Sequence, residues 1–145
     1  MTEAPLGDDY WHEGKPAPED EEILAISQAW VEYHRREDEK HWWACEAVME
    51  LDHEPTLERG DLLWRLILAM CSLLRPDELA LIANVGAGPL EEFIRLYGDQ
   101  ALDLIEPEVT TNRTLLLALA GVWGWSEPTR PRIDRILQAN DQDLL

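Results

Sequence analysis

The sequence predicts an all-α protein: an irregular array of about seven to eight short helices in stacked antiparallel pairs, like a short HEAT-like α superhelix. Three observations predict it. From about residue 19 onward, apolar residues recur at the helical period. No segment alternates apolar and polar residues with the Val, Ile and Thr enrichment of a strand. Proline, glycine and acid punctuation cuts the chain into short stretches, and no fixed repeat length links them. The length of 145 residues is one domain's worth of chain.

Residues 1–18 carry Pro5, Gly7, Gly14, Pro16 and Pro18 with little apolar matter, and read as a flexible acidic tail in which Tyr10 and Trp11 are docking points. Pro18 then precedes Glu19, Asp20, Glu21 and Glu22, four acids where a helix dipole favours them. Ile23, Ile26, Trp30 and Tyr33 make one face of the first helix. The polar run 35–40 reads as a break. A second helix places Trp42, Cys45 and Met49 on one side, with Trp43, Ala47 and Leu51 beside it. Pro55 opens a third, apolar nearly all round over 62–74 and therefore central. Pro76, Asp77 and Glu78 open a fourth.

The segment Gly86-Ala87-Gly88-Pro89-Leu90-Glu91 reads as a tight corner between two helices. In that reading Gly86 closes one helix in a left-handed conformation and Gly88 caps the next. Pro89 sits at its first position, and Glu91 reaches back as a capping-box carboxylate. A Gly88→Val change is expected to disrupt folding. The fifth helix stops at Gly98. Asp99 caps a sixth ending at Pro107, Thr110 or Thr111 starts a seventh ending near 121–124, and Thr129-Arg130-Pro131 starts an eighth ending at Asn140. The expected organisation is a tail over 1–18, a single helical domain over 19–140 and a frayed end over 141–145.

Thirty Asp and Glu against twelve Lys and Arg give a net charge of −18. Phosphate neutralisation needs a basic surface, so direct nucleic-acid binding and anionic membranes are disfavoured. The N-terminus lacks a basic and apolar leader, and the longest apolar runs fall short of the roughly 20 residues that span a bilayer, so a cytoplasmic protein is expected. Cys45 and Cys71 sit in apolar helical patterns and read as buried, reduced thiols.

His34, Asp38, His41 and Cys45 are spaced four, three and four apart. On one unbroken helix they would share a face, and they are zinc-ligand types. The break expected over 35–40 works against such a site. The glycine pair Gly86 and Gly88 resembles a phosphate cradle only loosely, because no strand precedes it and Glu91 and Glu92 would repel an anion. Ser27, Ser72 and Ser126 lack the context of a nucleophile elbow. These features disfavour an enzyme and require no cofactor. Of the seven tryptophans, Trp30, Trp43, Trp64 and Trp123 are assigned to packing. Trp11, Trp42 and Trp125 lie near element ends or in the tail, as anchors or lids.

Over about residues 26–138 the chain resembles an uncharacterised bacterial domain family of unknown function. The marks are Ala29-Trp30, Trp42-Trp43-Ala44-Cys45-Glu46, Trp64, the distinctive Val85-Gly86-Ala87-Gly88-Pro89-Leu90-Glu91 with Gly98, and Leu119-Ala120-Gly121-Val122-Trp123. Cys45 stands where an aromatic is common. The resemblance implies a small all-helical domain and no mechanism.

Charge then shapes the functional expectation. A surplus this large is more than solubility needs and destabilises the compact state, so a basic partner is expected. The expected function is an acidic protein-binding module that inhibits or neutralises that partner, as an immunity protein does for a bacterial toxin. Two alternatives are a DNA mimic that inhibits a nucleic-acid-binding protein, of the anti-restriction or anti-CRISPR type, and a metal-dependent helical enzyme at the His34–Cys45 cluster. The expected partner-binding residues are Asp8, Asp9 and Trp11 in the tail, Glu19, Asp20, Glu21 and Glu22 in the first turn, Glu37, Asp38 and Glu39 in the polar run, and Trp42. Gly86, Gly88, Pro89, Glu91, Trp64 and Trp123 are assigned structural roles.

Overall fold

A computed structural model of the chain describes residues 10–12, 14–122 and 128–140. Asp8, Asp9, Trp123, Trp125 and the end at 141–145 lie outside them. The described residues form helices and turns, with no strand among them, so the fold is all-α. Where one helical domain is expected, the chain divides between Leu73 and Leu74 into two compact units, each with its own buried core.

In the first unit, α1 (Asp20–Arg36) carries its acids in the first turn and buries Ile23, Ile26, Trp30 and Val31. It packs against both α2 (Trp42–Met49) and α3 (Leu57–Ser72). The Ser27 hydroxyl, buried in that contact, donates to the Leu66 carbonyl at 3.4 Å. The break at 35–40 is real. Glu37 takes a left-handed conformation with φ 55°, and its N–H bonds the Tyr33 carbonyl at 2.6 Å. A 3₁₀ turn, Glu39–His41, then leads into α2.

Helix α2 buries Ala44, Cys45, Ala47 and Val48 but turns Met49 outward at 44% exposure, so Met49 does not share the side of Cys45. A second 3₁₀ turn, Glu50–Asp52, ends it. The Thr56 hydroxyl accepts the Arg59 N–H at 3.1 Å and starts α3. Central placement of α3 follows from Leu63, Leu66, Ile67 and Met70, all at 0% exposure. Each such side chain contributes roughly 1.5–3 kcal/mol by leaving water. Trp30 is buried as expected, whereas Trp43 and Trp64 are half-buried at the edge of this core.

The second unit departs from the expected corner. Helix α4 (Leu79–Val85) does not stop at Gly86, whose φ −63° and ψ −47° are ordinary right-handed values. The chain continues through one π-helical turn, Gly86–Leu90, into α5 (Glu91–Tyr97). Pro89 causes the widening. It has no N–H to return to the Val85 carbonyl, and the Glu91 N–H reaches the Gly86 carbonyl five residues back instead. Because the helix never ends here, Gly86 is not left-handed, Gly88 is not a cap and Glu91 closes no capping box. Beyond its chain neighbours and the backbone of its own helical turn, a Cβ on Gly88 would meet no atom within 4 Å. There is accordingly no corner for Gly88→Val to break. The crowded glycine is Gly86, which lies against α7 (Arg113–Ala120).

Gly98, at φ 56°, ends α5 and serves as the N-cap of α6 (Asp99–Glu108), displacing Asp99 from that role. Pro107 sits in the last turn of α6. The start of α7 is set by Asn112, whose side-chain oxygen accepts the Leu115 N–H at 3.0 Å, and not by Thr110 or Thr111. Thr110 instead donates its hydroxyl to the Pro107 carbonyl at 2.8 Å. Helix α8 (Arg130–Ala139) begins after Thr129 and stops at Asn140. Leu102 and Ile105 of α6, Leu115, Leu116 and Leu119 of α7 and Ile133 of α8, all at 0% exposure, form the core of this unit. Among the described residues, no helix is long and apolar enough to cross a membrane.

Candidate functional site

Three places concentrate polar groups. The first is where the N-terminal segment meets α2. The Tyr10 and Trp11 backbone N–H groups donate to the two oxygens of the Glu50 carboxylate, each at 3.1 Å. Glu50 is 2% exposed. Such charge-assisted bonds are stronger than neutral ones. The Trp11 indole N–H donates to the Ala47 carbonyl at 2.7 Å. The Tyr10 hydroxyl donates to Glu22, its ring stacks on Trp43 at 5.8 Å, and Lys15 binds Glu22 at 3.1 Å. Burial, then the bond to Glu22, push the Tyr10 hydroxyl well above its ordinary pKa. Burial works to raise Glu22, but Tyr10 and Lys15 outweigh it and hold that carboxylate low.

Trp11 and Glu22, expected to face a partner, are thus occupied by the chain itself. The tail expected to be loose is anchored through Tyr10, Trp11 and Lys15, and Pro18 is buried. Between this segment and α3 lies a cleft of about 340 Å³ lined by Trp11, Lys15, Arg59 and Leu62 among others. Its cations are committed: Lys15 to Glu22, and an Arg59 N–H to the Glu50 carbonyl at 2.9 Å. Sequence reasoning missed Glu50. Its one signal is position, one turn beyond Ala47 on the buried stripe of α2.

The second place is the α1–α2 junction. His34 Nε2 lies 3.9 Å from Cys45 Sγ, and the imidazole packs on Trp30 with ring centroids 4.1 Å apart. Burial lowers the His34 pKa and pushes the Cys45 thiol up to about 12, with Glu46 adding to the latter. Burial thus favours the neutral imidazole and the protonated thiol. Asp38 and His41 do not join this pair. Because α1 ends at Arg36, Asp38 turns to cap the 3₁₀ turn, accepting the Lys40 N–H at 3.1 Å. Among the described residues, no three His, Cys, Asp or Glu side chains gather as metal ligands.

Trp42, half-buried, lies against Tyr33 with ring centroids 5.1 Å apart. The Tyr33 hydroxyl is held above its ordinary pKa by desolvation first and then by Glu39, with Cys45 and Glu37 adding. Glu37 and Glu39 are exposed. They stand at the far end of α1 from Glu19, Asp20, Glu21 and Glu22. A 17-residue helix separates the groups by about 25 Å, so the expected acidic residues do not form one patch. Glu19 and Glu21 are exposed, and Asp20 pairs with Arg65 at 2.9 Å.

The third place is the outer face of α6, in the second unit. Asp99, Asp103 and Glu106 bind one guanidinium, that of Arg132 on α8, at 3.2, 2.8 and 3.0 Å. Asp103 and Glu106 lead in raising the Arg132 pKa. Arg130 pairs with Asp134 at 2.9 Å and donates to the Val122 carbonyl at 3.0 Å. Three carboxylates against one cation leave this ordered row net negative.

A family model described as a family of unknown function (DUF6869) matches residues 31–143. No curated protein matches the chain. No solved structure matches it either. The match covers both units from the middle of α1 onward, including the His34–Cys45 pair, the π-turn and the α6 row, and the chain belongs to this family of unknown function.

Proposed function

We propose that this chain is an acidic protein-binding module that inhibits or neutralises a basic partner, as an immunity protein does for a bacterial toxin. One observation carries the reading. Thirty acids stand against twelve Lys and Arg, and those bases are largely spent within the fold. Lys15, Arg35, Arg36, Lys40, Arg65, Arg75, Arg95, Arg130 and Arg132 are each held by the chain's own carboxylates. Eighteen more carboxylates than Lys and Arg side chains leave the exterior strongly anionic. Their mutual repulsion is relieved by a cationic surface, which they also steer into contact. The α6 row supports the same reading, since its side chains are already ordered by Arg132 and lose little freedom on binding.

A nucleic-acid-binding protein blocked by a DNA mimic would use the same surplus. The metal-dependent enzyme has less support, because Asp38 caps a 3₁₀ turn and no three His, Cys, Asp or Glu side chains gather as ligands among the described residues.

The test is to mix the purified chain with the basic protein encoded beside its gene. Loss of that protein's toxic activity at equimolar chain is the expected result. Release of the partner from DNA, with no toxic activity to neutralise, would favour the mimic. No effect on any basic neighbour would overturn the reading.

A further inference from the structure

Tyr33 and Trp42 make a half-exposed aromatic pair where α1 turns into α2, with planes tilted by 57°. The His34 ring is perpendicular to Tyr33, with centroids 5.4 Å apart. The backbones of two acids are bonded to those of the pair, and both carboxylates act electrostatically on the Tyr33 hydroxyl, Glu39 the more strongly. The Glu37 N–H bonds the Tyr33 carbonyl at 2.6 Å, and the Trp42 N–H bonds the Glu39 carbonyl.

The nearby bases are engaged elsewhere. Arg35 and Arg36 both bind Glu32, at 2.9 and 3.3 Å, and Lys40 lies 3.7 Å from Asp38. Among the described residues, Glu37 and Glu39 have no ion-pair partner. Glu37 also holds a left-handed backbone, φ 55°, where glycine would sit without strain. Aromatic faces attract cations, and a planar guanidinium stacks on a ring while its N–H groups reach two carboxylates, which an ammonium does less well.

We infer that the Tyr33–Trp42 pair, flanked by Glu37 and Glu39, is the docking place for an arginine side chain of the basic partner. This rests on the reading of the chain as a binder of basic protein, and names where and how it grips. The charge complementarity is local: two exposed carboxylates without an ion-pair partner among the described residues act on the hydroxyl of one ring of the pair.

The test titrates a hexa-arginine peptide into the full isotope-labelled chain and follows the indole N–H resonances by NMR. The Trp42 resonance is expected to move while that of buried Trp30 stays in place. Affinity is expected to fall by about fivefold or more in Trp42→Ala, the loss of one cation–π contact. Glu37→Gly keeps the left-handed turn, so it weakens binding without risk to the fold. Asp77→Asn, an equal change of charge elsewhere, should alter affinity by less than about twofold. If Trp42→Ala and Glu37→Gly bind like the parent chain while binding still weakens with salt, the arginine site is wrong and the acidic reading stands. If hexa-arginine does not bind even at low salt, both fall.

Discussion

Gly86 and Ala118 meet with no room between them: a Cβ on Gly86 would overlap the Ala118 carbonyl oxygen. That oxygen is backbone on a packed helix and cannot swing aside. Gly86→Ala is therefore expected to destabilise the protein by about 1–3 kcal/mol, as overpacking does. Gly88→Ala meets no packed neighbour beyond its own turn, only the adjoining Pro89 ring, and is expected to cost clearly less than Gly86→Ala. Urea melts of the two variants check this. Equal losses at both positions would contradict the π-turn.

The Glu50 carboxylate holds the backbone of Tyr10 and Trp11 to α2. Glu50→Ala leaves two N–H groups without their acceptor and should cost about 1–3 kcal/mol. The loss should be local. Limited proteolysis is expected to cut between residues 10 and 18 in the variant and spare that stretch in the parent chain, with α3 intact in both.

The end of α1 makes an opposite prediction. Glu37 pays a left-handed penalty of roughly 1–2 kcal/mol that glycine avoids. Part of that gain is lost to the greater freedom of glycine in the unfolded chain. Glu37→Gly should still raise stability by about 0.5–1 kcal/mol, read as a higher denaturant midpoint. A drop in the midpoint would show that the Glu37 side chain contributes to the fold.

Both members of the His34–Cys45 pair link stability to pH, with opposite signs. Burial depresses the His34 pKa, so its contribution is whole above the ordinary imidazole value of 6.5 and is lost as pH falls below it. Burial raises the Cys45 thiol from 9.0 to about 12, so its contribution is whole below pH 9 and is lost as pH rises through that window. Denaturation midpoints should therefore decline on both sides of neutrality. Cys45→Ala should make the alkaline limb shallower, leaving the part due to Tyr10 and Tyr33, and His34→Leu the acid limb, leaving the part due to Glu22. Thiol reagents at pH 8 should label Cys45 in denaturant but not in the native protein.

The helical period and its punctuation made most elements legible from sequence. Pro18, the polar run 35–40, Gly98, Gly121 and Asn140 all mark real boundaries, because each breaks or caps a helix by local chemistry. The segment 86–90 was misread because glycine and proline signal a stop locally. Whether a helix absorbs the missing proline N–H as a π-turn depends on what packs against it, here the Ala118 carbonyl. The cluster from His34 to Cys45 was half legible: two members meet, and the turn at Glu37 separates the other two. Trp11 and Glu50 were unreadable as a pair because they lie 39 residues apart and join through backbone N–H groups, which leave no mark in a side-chain pattern.

The most direct measurement is the rate at which the chain associates with its basic partner as salt is raised from about 50 to 500 mM, followed by stopped-flow fluorescence. The expected result is a rate that falls by about tenfold or more while dissociation changes little. A rate that stays flat across that range would mean that the acidic exterior does not guide binding, and the proposed role would be wrong.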